Sequence, residues 1–314
     1  MTKLFFATDV HGSDICWNKF INSGKFYGAD ISILGGDISG KAIVPIVNLG
    51  YGKHKVVLLQ QESILEDESQ LANMEKMIRS RGYYPYRTTH DELDALNNDH
   101  DALENLFTKQ VLLRMEQWIA IADKKLADSS SPIYISLGND DIFELDDLIR
   151  STAKSIRLVD GEVVEIDRDS EMISSGWSNP TPWKTAREEN EEQLEFRFNK
   201  MICQLKRPEM SIFNFHVPPF NSGLDEAPEL TDDMRPKHAG NALIPVGSKT
   251  VRSLIEKYKP ALGLFGHIHE SKGTSRIGKT LCVNPGSMYE QGCLLGALVT
   301  IEKGKTKNHI LTTG

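Results

Sequence analysis

Cysteine is scarce in this chain. The four thiols, Cys16, Cys203, Cys282 and Cys293, are scattered over 314 residues and none stands in a CxxC pair. That argues against a disulfide framework and against a thiolate zinc site, and reduced, buried thiols are expected instead. Also missing is any apolar run of about 18 residues, the length a membrane-spanning helix needs. The apolar part of the opening Met1-Thr2-Lys3-Leu4-Phe5-Phe6-Ala7 is too short for a signal peptide. No membrane association and a cytoplasmic location are the resulting default. Nor is there an excess of base: 36 Lys and Arg stand against 44 Asp and Glu, a net charge of -8. A sequence-independent grip on long nucleic acid needs a basic face. The balance argues against one, while leaving a small nucleotide open as a substrate. No internal repeat or low-complexity tract occurs.

What is present suits a large folded unit. Hydrophobic residues make up 39% of the chain and charged residues 25%, enough for a sizeable core in one α/β domain with an insertion. Residues 3–7 and 29–34 read as buried strands around a helix beginning at Asp14, a parallel βαβ start. Residues 44–49 and 55–60 are β-rich and separated by Gly50-Tyr51-Gly52-Lys53, a hairpin signal. From Glu62 to Leu126 the chain is charged and nearly free of Gly and Pro. Leu103, Phe107, Val111, Trp118 and Ala122 recur at helical steps, and Thr89 with Glu92 offers a capping box. Residues 62–127 are therefore expected to form a helical insertion, broken near Arg81-Gly82-Tyr83-Tyr84-Pro85, that serves as a lid or as a homodimer contact. Strands resume at 133–137, 163–166, 172–174, 211–215 and 261–265, with helices at 188–205 and 248–258. Two late strands, 280–283 and 297–301, are expected in a second sheet.

Four short pieces carry chemistry: Asp9-Val10-His11, Gly35-Gly36-Asp37, Gly138-Asn139-Asp140-Asp141 and Gly266-His267-Ile268-His269, with a lone His216 between the last two. Each alone has a plainer reading, as a turn aspartate or a surface histidine. Together they share a position, just beyond the C-terminal end of an apolar strand, where open α/β sheets bind ligands. Asp9, His11, Asp37, Asn139, His216, His267 and His269 offer oxygen and nitrogen donors without sulfur, a set that suits manganese, iron or zinc. Seven donors exceed what one ion takes while keeping an open position, and a carboxylate bridging two ions accounts for the number. Two ions about 3.5–4 Å apart can clamp an in-line phosphoryl displacement.

The order DxH, GGD, GN, His216 followed by Val217-Pro218-Pro219, then GHIH, resembles the calcineurin-like metallophosphoesterase superfamily. Val246-Gly247-Ser248, Lys259-Pro260 and Asn284-Pro285-Gly286-Ser287 are similar to a bacterial and archaeal branch. The resemblance runs from Lys3 to about Ile301 and leaves out roughly residues 53–130. It implies a four-layer α/β/β/α sandwich. It implies that Asp9, His11 and His269 hold one metal, that Asn139, His216 and His267 hold a second, and that Asp37 bridges them. It also implies phosphoester hydrolysis by a metal-bridging hydroxide. One position departs from the pattern: Asp140 stands where the family usually has a His that assists at the phosphate. With an ordinary pKa of about 3.9, lowered further by nearby cations, Asp140 is expected to be a poor acid and to disfavour dianionic monoesters, which leads to an expected preference for phosphodiesters. His238 is the candidate substitute donor. A phosphomonoesterase, a nucleotide pyrophosphatase and a metal-binding scaffold are the competing readings. Trp177 and Trp183 are expected to pack under their loop rather than stack a base, and Arg187 and Arg197 to be solvated.

Overall fold

A computed structural model describes residues 1–231, 233–240 and 242–314, the side chains of residues 238 and 239 excepted. In chain order the elements are β1 (Thr2–Ala7), α1 (Asp14–Tyr27), β2 (Ile31–Gly35), β3 (Ile43–Gly50), β4 (Lys53–Leu58), β5 (Gln61–Leu65), α2 (Glu68–Ser80), β6 (Tyr84–Thr88), α3 (His90–Asn97), α4 (His100–Leu126), β7 (Ile133–Ser136), α5 (Glu144–Thr152), β8 (Arg157–Leu158), β9 (Val163–Glu165) and β10 (Glu171–Ser175). There follow α6 (Glu191–Ile202), β11 (Ile212–Phe215), β12 (Glu226–Pro228), β13 (Leu243–Pro245), α7 (Lys249–Tyr258), β14 (Leu262–Leu264), β15 (Gly273–Ile277), β16 (Thr280–Asn284), β17 (Leu295–Glu302) and β18 (Lys305–Thr313).

Two six-stranded sheets face one another, ordered β18-β17-β1-β2-β7-β8 and β15-β16-β14-β11-β10-β9. The side-chain period of two makes β1 a double-sided strand. Leu4 and Phe6 enter the core between the sheets, while Phe5 and Ala7 enter the core under α1 and α4. Phe213 and Phe215 of β11 and the apolar faces of α6 and α7 fill a third core outside the second sheet. The layers are thus helix, sheet, sheet, helix. Asn214 lies between the sheets and donates to Ser136 Oγ at 3.1 Å and to Ser174 Oγ at 2.9 Å. In the first sheet β1, β2 and β7 run parallel; in the second, β10, β11, β14 and β16 do.

Two expectations need correction. The segment 62–127 is not all helical: β5 and β6 join β3 and β4 in a four-stranded sheet ordered β5-β4-β3-β6. One face of that sheet buries Val44, Ile46, Val56, Leu58 and Leu65 against Leu71 and Ile78 of α2. Val57, between Val56 and Leu58, turns to the opposite face and is exposed, and Pro85 is tolerated because β6 is an edge strand. Thr89 caps the short α3, accepting from Glu92 N, whereas the long α4 is capped by Asp99. The second correction concerns residues 295–302. β16 belongs to the second sheet, but β17 pairs antiparallel with β1 in the first. Of the cysteines, all free, Cys16 and Cys282 are buried as expected, whereas Cys203 is exposed.

Trp118 of α4 is 1% exposed, stacks on Trp17 at 4.7 Å between ring centroids, and donates from Nε1 to Asp14 at 2.7 Å. Trp118→Ala is expected to lower unfolding stability by about 3–5 kcal/mol, read from urea denaturation; a loss below about 1 kcal/mol would contradict this packing.

Candidate metal centre

The motif-bearing loops leave the parallel strands at one edge of the sandwich. The loops after β1 and β2 run side by side: Asp9 N donates to Gly36 O at 3.0 Å, His11 N to Asp37 O at 3.0 Å and Gly12 N to Ile38 O at 2.7 Å. Asp9, His11, Asp37 and His267 all have left-handed backbone, with φ of 53°, 37°, 50° and 66°. Non-glycine residues avoid this region at a cost of about 1–2 kcal/mol each, and such outliers gather where a site over-determines them. Glycine is required at 138, where a Cβ would strike the amide and carboxylate of Asp37, and at 82, where one would strike the carbonyl of His11.

Six of the seven predicted donors converge. The ligand atoms of Asp9, His11 and His269 lie within 4.8 Å of one another, as do those of Asp37, His216 and His267, and those of His11, Asp37 and Asp140. His269 Nε2 is 3.4 Å from Asp9 Oδ1, and His216 Nε2 is 3.3 Å from Asp37 Oδ2. His11 Nε2 is 3.0 Å from His269 Nε2. His216 Nδ1 lies 2.9 Å from the carbonyl of Gly35; donation there orients the ring with Nε2 toward the carboxylates. Asn139 Nδ2 donates to Thr185 Oγ1 at 2.8 Å. Among the described residues its Oδ1 is buried without a hydrogen-bond partner. Buried acceptors are rarely left unpaired, and a divalent cation is the partner that fits this oxygen- and nitrogen-rich set.

Protons show the same need. Burial alone would drive the His216 pKa down, but the charge and hydrogen bond of Asp37, with Asp9 behind it, raise it to about 10. Burial would raise the Asp9 and Asp37 carboxyls, and the imidazoles around them more than offset it, holding both below the usual range. Burial, helped by the charge of His216, lowers His267 to about 4.

The sequence reading missed several supporting residues. Asp141, fully buried, accepts from Ile38 N, Ser39 N, Ser39 Oγ and Gly138 N. Thr8 Oγ1 donates to Asp9 Oδ2 at 2.7 Å, and Ser287 Oγ donates to the Asp9 carbonyl at 2.6 Å. Tyr289 packs against His11 and His269. Lys41 Nζ is paired with Asp140 Oδ2. Asp140 itself is raised to about 6 by burial and by Asp37, with Lys41 pulling the other way; in the absence of cations its direction is opposite to the lowering expected beside them. The candidate donor His238 has a side chain outside the described residues.

Other residues found different surroundings. Arg187 is not solvated: it is 3% exposed, pairs with Asp146 at 2.6 Å and donates to the carbonyls of Asp141 and Ile142. Arg197 pairs with Glu189 and lies 3.9 Å over the Trp177 ring. Trp177 packs as expected, but Trp183 is 66% exposed. Tyr84 is buried and accepts from Gly40 N at 2.7 Å, a packing role rather than a lid.

The helix–sheet–sheet–helix order, with this donor cluster at its edge, is the fold that the resemblance to calcineurin-like metallophosphoesterases implies. No family model matches the chain. The chain is 32% identical over 166 residues to the uncharacterized protein MJ1162 of Methanocaldococcus jannaschii, a match spanning 52% of this chain and 68% of that protein, and belongs to one family with it. Among solved structures, TT1561 of Thermus thermophilus superposes with a TM-score of 0.53 at 15% identity, covering 100% of this chain and 98% of that one. Another superposes at 0.55 and 13%, covering 99% and 98%. Both are likenesses of fold.

Because His216 carries its proton up to about pH 10 in the cation-free protein, binding a cation must expel it. Metal affinity should therefore rise with pH across the neutral range, whereas His267, neutral above about pH 4, contributes nothing there. Titration calorimetry with manganese at about pH 7 in buffers of different ionisation enthalpy should report release of roughly one proton or more per chain. An apparent enthalpy independent of buffer would contradict the protonated His216.

Proposed function

We propose that the protein is a hydrolase of phosphoric esters that uses two divalent ions (manganese, iron or zinc) and acts by preference on small phosphodiesters, nucleotides among them. The observation that carries this reading is the pair of three-donor groups, Asp9–His11–His269 and Asp37–His216–His267, set beside the unpartnered Asn139 Oδ1. Asp9, His11 and His269 are read as one metal's ligands, Asn139, His216 and His267 as the other's, and Asp37 as the bridge. Ions held there would lower the pKa of a water and neutralise phosphoryl oxygens along an in-line displacement.

The remaining work falls to this chain's own groups. Thr185 holds the Asn139 amide nitrogen, which leaves the amide oxygen for a cation. The Asp140 amide, donating to Asp37 Oδ1 at 3.0 Å, fixes the proposed bridging carboxylate. The Asp140 carboxylate adds negative charge beside Asp37, which favours a singly charged diester over a dianionic monoester. A phosphomonoesterase remains the second reading, favoured by Lys41, whose ammonium offsets part of that charge. A scaffold has no use for unpartnered buried donors. We read residues 62–127 as an insertion within one domain, abutting the site loop at Gly82.

The test is hydrolysis of bis-p-nitrophenyl phosphate beside p-nitrophenyl phosphate in manganese, with Asp9→Ala as control. Faster diester cleavage, lost in the control, is expected; faster monoester cleavage would overturn the substrate preference. Asp37→Ala should retain at most one ion per chain by elemental analysis, and two retained ions would refute the bridge.

A further inference from the structure

Lys41 was not among the motif residues, yet it is the cation placed at the donor cluster. Its charge is felt by His11, Asp37, His269 and Asp140. Arg187, which packs against the loop carrying Asn139, has its guanidinium committed to Asp146 and two backbone carbonyls. Among the described residues Lys41 pairs with Asp140 alone, and its side chain is 38% exposed. An ammonium has three N–H donors, so one bond to Asp140 leaves two.

The backbone that presents it is held on both sides. Asp141 accepts from the amide and hydroxyl of Ser39, Tyr84 Oη accepts from Gly40 N at 2.7 Å, and Gly82 O accepts from Lys41 N at 3.2 Å. Asp140 is fixed as well, through its amide to Asp37 Oδ1 at 3.0 Å. A long flexible side chain is thereby aimed by a short rigid one, and a donor ordered in advance binds an anion with less loss of entropy.

We infer that Lys41 contacts the substrate: held by Asp140 at the rim of the cluster, its ammonium donates hydrogen bonds to a non-esterified phosphoryl oxygen, with Asp140 as its positioning residue. This rests on the reading of the site as a phosphoesterase. The plainer role, a counter-ion for an acidic cluster, makes different predictions, because a counter-ion acts on metal retention and stability and not on phosphate.

The probe is inorganic phosphate, titrated calorimetrically into the manganese-loaded protein, with metal content and thermal midpoint measured on the same samples. Lys41→Met is expected to weaken phosphate binding roughly 10- to 100-fold, the range of a charged hydrogen bond, with two ions still bound. Lys41→Arg should recover most of the affinity, since the charge is kept. Lys41→Met should have a smaller effect in an Asp140→Asn background than in the wild type if Asp140 aims the ammonium. Unchanged phosphate affinity in Lys41→Met, or loss of affinity only together with loss of metal, would overturn the contact. An equal effect in both backgrounds would overturn the positioning role. Wild-type protein that hydrolyses neither nitrophenyl ester, yet loses phosphate affinity on Lys41→Met, would sink the phosphoesterase reading and leave Lys41 as an anion-binding residue.

Discussion

Two carboxylates, Asp9 and Asp37, are taken almost wholly out of water, 1% and 2% exposed, at the edge where two sheets meet. Burying like charges together is unfavourable unless positive charge or donors surround them. Much of the local structure answers that constraint. Asp9 takes hydrogen bonds from Thr8 Oγ1 and from the amide of His267; Asp37 takes one from the amide of Asp140. Four imidazoles close around them. The left-handed backbone at Asp9, His11, Asp37 and His267 brings the side chains inward within tight turns, and Gly138 leaves room for Asp37 against the next loop.

The cluster is also shared. Asp9, His11, Asp37 and Asn139 leave strands of the first sheet, whereas His216, His267 and His269 leave strands of the second. The inter-sheet core of Leu4, Phe6, Ile33, Leu264 and their neighbours sets the spacing from below. Asn214 ties β11 to β7 and β10 close to where His216 emerges. Precision at the site is therefore a property of sheet packing, and elements on the structured interior place side chains more exactly than free loops do.

The site was legible because each donor is announced locally, by an apolar strand, a glycine and a polar residue in succession. The two-sided burial of residues 3–7 and 31–34 was legible for the same reason. The small sheet was not. Residues 61–65 and 84–88 are half-exposed, so polar positions interrupt the apolar ones, and β5 and β6 are edge strands with few apolar partners to mark them. Lys41, which carries no local signal, and the role of Asp141 within its motif were not legible for a different reason. Both depend on contacts across about a hundred residues of sequence, between the loop after β2 and the loop after β7. Arg187 lies in a polar stretch, and only the fold brings Phe143 and Asp146 against it.

The pairing of β1 with β17 bears on how the molecule is made. The strand that delivers Asp9 and His11 has β2 on one side, close in sequence, but its other edge is completed only by residues 295–302. Such distant pairing carries a large loop-closure entropy and slows folding. During synthesis the first sheet keeps one edge open, with Leu4 and Phe6 awaiting their cover, until nearly the whole second sheet has emerged. An open apolar edge of this kind is prone to pair with another chain, so the interval before β17 arrives is the vulnerable stage in the life of this protein.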